Sequence, residues 1–309
     1  MAIANRQLYP YHLEREISKI WLNAYADEET EYTKIAKVQS APAGNTYTEA
    51  EVSGLGSFRE MVEGGAPDFD TPVEGHKKTI NYTKFGLAFQ ITEEMVADAI
   101  HPNIYKMPQT LARSAVNTQE LQFWDLLNGA HDTHTAWDGN YIVHAAHTTL
   151  KSGDTINNDV QADLSETSFQ AAFEYFDEMV DEAGLPVKMT LDWLLVPTSS
   201  RWIANRLMRQ RGGISTSGTS PDLSGNDMTT NPSNGYVDSW KLHVSRFIDD
   251  DDSWFALSKD HDLRFYWKKR PKLQSGDDFL TDNALFKMVM RFAAECFDYK
   301  GIYGSQGAG

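Results

Sequence analysis

Residues 164–208 read LSETSFQAAFEYFDEMVDEAGLPVKMTLDWLLVPTSSRWIANRLM, and the changes of hydrophobic period inside that stretch decide the architecture. Leu164 can staple onto Phe169 across a Ser165 N-cap. Phe169, Ala172, Phe173, Phe176, Val180 and Ala183 then recur at spacings of three and four, so a helix is expected that ends at Gly184. LDWLLVP follows as a short buried strand stopped by Pro197. Ser199 or Ser200 can cap a second helix carrying Trp202, Ile203, Leu207 and Met208, with Arg209 and Arg211 near its negative end. Buried strand alternating with amphipathic helix makes this region part of a mixed α+β domain.

Toward the amino terminus the character changes twice. Ile104 to Asn128 is the longest helical stretch, with Leu111, Ala115, Thr118, Gln122 and the Phe123–Leu127 cluster on a mixed stripe and Gly129 as its stop. Pro108 falls in its first turns, where a missing amide costs least. Thr92 can cap a short helix over Glu93–Ala99, and Pro102 then redirects the chain. Residues 36–91 are instead extended and turn-rich. Thr46–Val52, Phe58–Val62 and Thr79–Ile91 read as strands, and GGAPDFDTPVEG between them is a loop. Residues 1–35 form an arm whose Leu13, Ile17, Ile20, Trp21 and Ala24 share a helical face. Such a segment has little core of its own and must dock on something.

Toward the carboxyl terminus, Gly212–Gly235 is a long polar loop, which inside a compact domain is normally functional or mobile. Trp240–Phe247, Trp254–Ser258 and Leu263–Trp267 read as strands. The extended apolar stretch Leu285–Phe297 precedes DYKGIYGSQGAG.

The 309 residues are 41% hydrophobic and 12% aromatic, enough for a sizeable core in one or two domains. The net charge of -16, from 44 acidic and 28 basic residues, argues against a groove that grips phosphate backbones. Lys268, Lys269 and Arg270 are the densest basic cluster. An acidic wall that encloses DNA without gripping it stays compatible. The single Cys296 excludes an internal disulfide framework and multi-cysteine metal sites. The opening residues carry no secretion signal and no membrane span.

Chemical motifs are scarce. His131, His134, His144 and His147 lie near Asp132 and Asp138, but neither HExxH nor a second cysteine accompanies them, so no metal site is assigned. Asp249–Asp252 lacks the alternation and glycine of a calcium loop and reads as a solvated turn. There is no GxSxG, no dinucleotide fingerprint and no P-loop. No catalytic or cofactor-binding residues are assigned. A two-carboxylate hydrolase, whose acids can be distant in sequence, stays open as an alternative.

Several phrases, in order, resemble the major capsid proteins of tailed phages with the Hong Kong ninety-seven-like fold, Mu-like head subunits above all. They are YTKFGLAFQITEEMVADA, a long helix ending in LLNGA, DGNYIVHAAHTTL, the 164–208 stretch, SWFAL at Ser253–Leu257, and DYKGIYGS. The resemblance implies an N-terminal arm (1–35), an extended loop (36–91), a peripheral domain with a spine helix (92–162), an axial domain (163–250), and returning strands with a C-terminal segment (251–309). It implies a structural subunit, not an enzyme, that assembles with itself as hexamers and pentamers into an icosahedral head enclosing double-stranded DNA without sequence-specific binding. A separate scaffold, a portal and head accessory proteins are implied as partners, with no membrane and no cofactor. Assembly is expected in the host cytoplasm and residence in the virion head. Leu13, Ile17 and Trp21 on the arm, and Phe58, Arg59, Phe69, Lys77 and Lys78 on the loop, are expected to contact adjoining copies. Certain relatives crosslink a loop lysine to a neighbour's asparagine, but Lys77 and Lys78 have no matching context. An encapsulin-like compartment shares these features and stays open as a second alternative.

Overall fold

The computed structural model describes residues 8–61, 63–92, 103–209, 240–277 and 283–308. The helix expected at Glu93–Ala99 and the loop at Gly212–Gly235 lie outside them. The chain divides into two compact units that interleave along the sequence. Unit 1 takes residues 1–48, 79–125 and 263–295, and unit 2 takes 49–78, 126–262 and 296–309. The units cut across the linear segments. Residues 126–162 belong with unit 2, and the tract 251–309 is shared between both.

Unit 1 is a four-stranded sheet with helices on one face. Its strands β1 (Lys37–Ser40), β4 (Thr83–Ile91), β10 (Leu263–Asp277) and β11 (Ala284–Cys296) lie in the order β1-β10-β11-β4. β1 runs parallel to β10, and β11 antiparallel to β4 from Ala284↔Ile91 to Phe292↔Thr83. Period-two alternation puts Phe286, Met288, Met290 and Phe292 on one buried face. There the rings stack: Phe85 on Phe292 at 4.9 Å, Phe89 on Phe286 at 5.2 Å, and Phe265 on Phe292 at 4.9 Å.

Helix α3 (Asn103–Asn128) has 26 residues, about 39 Å at 1.5 Å per residue. Within unit 1 it buries Leu111, Ala112, Ala115, Val116, Phe123 and Trp124. It also places the buried Glu120 against the start of α2 (Tyr32–Ile35). Its carboxylate accepts from the amides of Glu31 (2.6 Å) and Tyr32 (3.2 Å) and from the Trp124 indole (3.1 Å). An acid from a distant helix thus satisfies the orphan amides of this one. Burial pushes the Glu120 carboxyl up, and those donors oppose the shift.

The arm packs on the unit to which it belongs. Helix α1 (Leu8–Asp27) turns Ile17 into a cluster with Ile91, Ile104 and Phe286 of its own unit, leaving it 0% exposed. Trp21 is buried too and stacks on Tyr25 at 5.4 Å. Both side chains are covered by their own chain. An amphipathic face states that a core will cover it, not whose core. The Leu13 side chain lies outside the description.

Unit 2 carries a short antiparallel pair, β5 (His147–Thr148) and β6 (Thr155–Ile156), and a second four-stranded sheet in the order β12-β9-β7-β8, from β7 (Leu191–Pro197), β8 (Lys241–Ser245), β9 (Trp254–Ser258) and β12 (Ile302–Ser305). β7 and β8 are parallel, from Trp193↔Lys241 to Pro197↔Ser245. Parallel neighbours need a crossover, and α5 (Arg201–Arg209) lies within it. Helix α4 (Glu166–Asp177) opens on a capping box, Ser165 exchanging bonds with Ser168. Phe169, Ala172 and Phe176 pack with Leu194, Val196 and Trp254. α4 ends at Asp177 and not at Gly184, because Val180 pairs with Pro186 and the Asp181 carboxylate accepts from the amides of Ala183 and Leu185. The hydroxyls of Ser199 and Ser200 donate to the carbonyl of Asp251. Near the end of the chain, a Cβ on Gly301 would lie 2.4 Å from the His261 Cα, so KGIYGS needs its glycine there.

Candidate functional site

Strands β2 (Thr46–Val52) and β3 (Glu74–Asn81) pair as a separate two-stranded ribbon. At its base the hydroxyls of Thr48 and Thr79 lie 2.7 Å apart. The ladder ends at the buried Ser53, whose amide donates to the Val73 carbonyl (2.9 Å) and whose hydroxyl accepts from the Val73 amide (2.8 Å). Beyond it the described residues to 73 form no regular structure, so Phe58–Met61 is not the strand expected there, and residue 62 lies outside the described residues. Gly54 and Gly56 precede it and Gly64, Gly65, Pro67 and Pro72 follow it, and a strand without a ladder partner has nothing to bond.

This segment holds its apolar side chains in water. Phe58 is 106% exposed and Phe69 98%, with Leu55, Met61 and Val52 also more than half exposed. A scattered exposed Leu is normal, but large apolar residues grouped on one projecting segment mark an interaction surface. Arg59 is exposed beside them and reaches the Asp68 carboxylate at 3.5 Å.

The ribbon is held within unit 2 at a few points. The Asp70 carboxylate accepts from the Gly56 amide (2.6 Å) and from Lys151 (2.6 Å). The Lys151 hydrogen bond, followed by the Gly56 amide, lowers the Asp70 carboxyl to about 2. Gly75 presses against the loop carrying Leu150, where a Cβ would come 2.6 Å from that side chain. Glu51 faces the His76 ring at 3.3 Å. Its carboxyl is raised by burial and by the nearby Glu182 charge.

Two loop lysines had been expected to face adjoining copies. Lys77 pairs with Glu74 at 2.9 Å and stays exposed. Lys78 turns inward, its ammonium donating to the carbonyls of Thr135 (2.5 Å) and Cys296 (2.7 Å) of its own chain. A lysine so used is not free to react outward.

The polar residues weighed for chemistry fall into structural roles. His147 is buried, its Nδ1 lies 2.7 Å from Asp138, and its ring stacks on Tyr299 at 3.7 Å. Burial alone would raise the Asp138 carboxyl, but the His147 bond and charge and the Asn140 donors hold it below the usual range. Burial lowers His131. Among the described residues no three His, Cys, Asp or Glu side chains are placed to hold a metal ion. Asp249–Asp252 forms an exposed turn in which the Asp252 amide donates to the Asp250 carboxylate. No helix among the described residues is long and apolar enough to cross a membrane.

Comparison with known proteins agrees with a shell subunit. The sequence profile of a family described as phage capsid protein matches residues 77–305. The structure is similar to the mature capsid of bacteriophage PhiM1, with 8% identity, 90% of this chain and 87% of that one covered, and a TM-score of 0.59. It is similar to the capsid of an empty GTA particle (10% identity, 91% and 90% covered, TM-score 0.56). A virus-like particle from Pyrococcus furiosus is also similar (9% identity, 94% and 98% covered, TM-score 0.51). Among curated proteins no sequence match was found.

Proposed function

The chain belongs to the phage capsid protein family, and from that premise we propose how this shell subunit assembles. It has the Hong Kong ninety-seven-like capsid fold, and it is a structural component of an icosahedral virion head. In our reading the ribbon of each copy leaves its own unit 2 to cover, and be covered by, an adjoining copy. Unit 1 with its long α3 serves as the peripheral domain, and unit 2 as the axial domain around local symmetry axes. Hexamers and pentamers form in the host cytoplasm on a separate scaffold, with a portal at one vertex. The shell encloses DNA without turnover and without reading its sequence, consistent with a net charge of -16.

The observation that carries this reading is the pair of fully exposed rings, Phe58 and Phe69, on a ribbon too thin to bury them. A two-stranded ribbon is marginal alone in water. Burying one phenylalanine is worth ~2–3 kcal/mol before ordering costs. Repeated around a closed shell, such contacts add through many simultaneous neighbours.

Deleting residues 55–72 tests it. The expected result is a chain with unchanged thermal stability that no longer forms capsomers or shells by electron microscopy, with or without scaffold. Normal shells from the shortened chain would refute the ribbon's role.

A further inference from the structure

Four acids of unit 2 converge on one ring beneath the far end of the β2–β3 ladder. Burial raises the Tyr299 hydroxyl, and the charges of Glu182, Asp298, Asp138 and Glu51 raise it further. Their counter-charges are few. Lys300 forms a buried salt bridge with Glu182, His147 faces Asp138, and His76 faces Glu51. With both imidazoles neutral, four carboxylates share one ammonium, and charge left uncompensated in a buried place is costly. Such a cluster relieves itself by holding protons. Burial raises the Asp298 carboxyl, against the Lys300 ammonium and amide. Burial and then the Glu182 charge raise the Glu51 carboxyl, against the His76 ring.

Glu182 also fixes the turn on which the ribbon rests. Its Oε2 accepts from the Leu150 amide (2.5 Å), and its carbonyl oxygen from the amides of Lys151 (3.0 Å) and Ser152 (3.1 Å). Those residues form the turn between β5 and β6. On β3, a Cβ at Gly75 would meet the Leu150 side chain at 2.6 Å and the Glu51 carboxylate at 2.8 Å. Glu51, Gly75 and this turn therefore touch at one point, with the Glu182 charge close by. The charged groups facing Glu51 are His76 from β3 and Glu182 from the loop after α4. Asp298 and Lys300 stand beyond Glu182, on the segment before β12. Other charges nearby are turned elsewhere. Lys151 reaches Asp70, Lys77 pairs with Glu74, and the Asp181 carboxylate takes the amides of Ala183 and Leu185.

We propose that this cluster is a pH-sensitive seat for the ribbon: a proton taken up at Glu51 draws β2 and β3 onto the β5–β6 turn, and its loss loosens them. An ionised Glu51 repels Glu182 across the seat, so the seated ribbon holds its proton more tightly than a ribbon lifted into water. That contribution is complete below the free carboxylate value of about 4 and is lost as pH rises through the seated one. A positive His76 would attract an ionised Glu51 and favour the seat in the same sense. Its side chain is 53% exposed, however, and salt weakens an exposed pair. The seat acts within one copy and does not depend on what covers Phe58 and Phe69.

Hydrogen exchange in the unassembled full-length chain tests it, read at the Ser53 and Val73 amides that close the ladder. Corrected for intrinsic exchange, their protection is expected to fall at least about threefold from pH 5 to pH 8. Glu51→Gln, neutral at every pH, should keep the acid-side protection throughout, and His76→Gln should keep most of the native slope. A flat native profile overturns the seat, as does a slope that survives Glu51→Gln. A slope that His76→Gln abolishes overturns it too and assigns the effect to the imidazole. If the glutamine variant at 51 folds poorly, carbon-13 NMR follows the Glu51 carboxyl in the native chain, where titration at the ordinary carboxylate position overturns the proposal. Failure of the ribbon's role in assembly, read as normal shells after deletion of 55–72, leaves each of these outcomes unchanged.

Discussion

Trp254 and Phe58 are both large apolar side chains, and this chain treats them oppositely. Trp254 is 0% exposed, its indole donating to the Ala162 carbonyl at 3.0 Å within a cluster that includes Tyr303 and Phe176. Phe58 has no neighbour to lie on and is 106% exposed. The difference is one of available layers. Unit 2's sheet has α4 to close it, whereas the ribbon is a single pair of strands with no second layer. Stability is therefore concentrated in the units, and the capacity to associate in the ribbon.

The sharpest way to break that contrast is to truncate on each side of it. Trp254→Ala is expected to cost about 3–5 kcal/mol in denaturant unfolding, from lost burial and the cavity left behind. Phe58→Ser/Phe69→Ser is expected to change unfolding by less than about 0.5 kcal/mol, while shell formation fails. Comparable losses of stability from both variants would erase the division of labour.

A smaller effect tests whether long-range polar contacts hold unit 1 together as firmly as its rings do. Glu120→Ala leaves the amides of Glu31 and Tyr32 and the Trp124 indole without their acceptor. Buried donors stripped of a partner cost about 1–3 kcal/mol, so thermal unfolding should occur at lower temperature. Glu120→Gln, which keeps one oxygen, should recover part of the loss. An alanine variant as stable as the native chain would mean that water replaces the carboxylate.

How far the sequence could be read follows the same line between local and distant causes. The Ser165 N-cap, the strand Trp254–Ser258 and the long helix ending at Asn128 were legible, since their signals lie within one element. The stacking of α1 on its own unit was not, because Ile17 meets Ile91 and Phe286 from far along the chain. The acceptors of Lys78 were hidden for that reason also, since they belong to Thr135 and Cys296. Glu120 gave no signal, being one acid on a mixed helical stripe. The exposed rings of the ribbon could be anticipated only as a shortage, too many turn residues around Phe58 and Phe69 for any core to form there.

The finest test concerns how loosely the ribbon is held before it finds a partner. Asp70 joins the two limbs, taking the Gly56 amide on one side and Lys151 on the other. Its carboxyl is held down to about 2 by Lys151 first and then by Gly56, below the ordinary carboxylate range near 4. A carboxyl lowered on folding contributes fully above its free value, and the contribution is lost as pH falls through the folded one. Protection of the Gly56 amide, corrected for intrinsic exchange, should thus be constant from about pH 5 to 8. Because the pair is exposed, added salt should weaken it over that same range. Asp70→Asn should speed Gly56 exchange a few-fold and leave global unfolding unchanged, a tether that constrains the ribbon without stabilising the unit beneath it. Slower exchange in the asparagine variant, or protection that varies between pH 8 and 5, would assign the restraint to a group other than this carboxylate, with the raised carboxyl of Glu51 the first to examine.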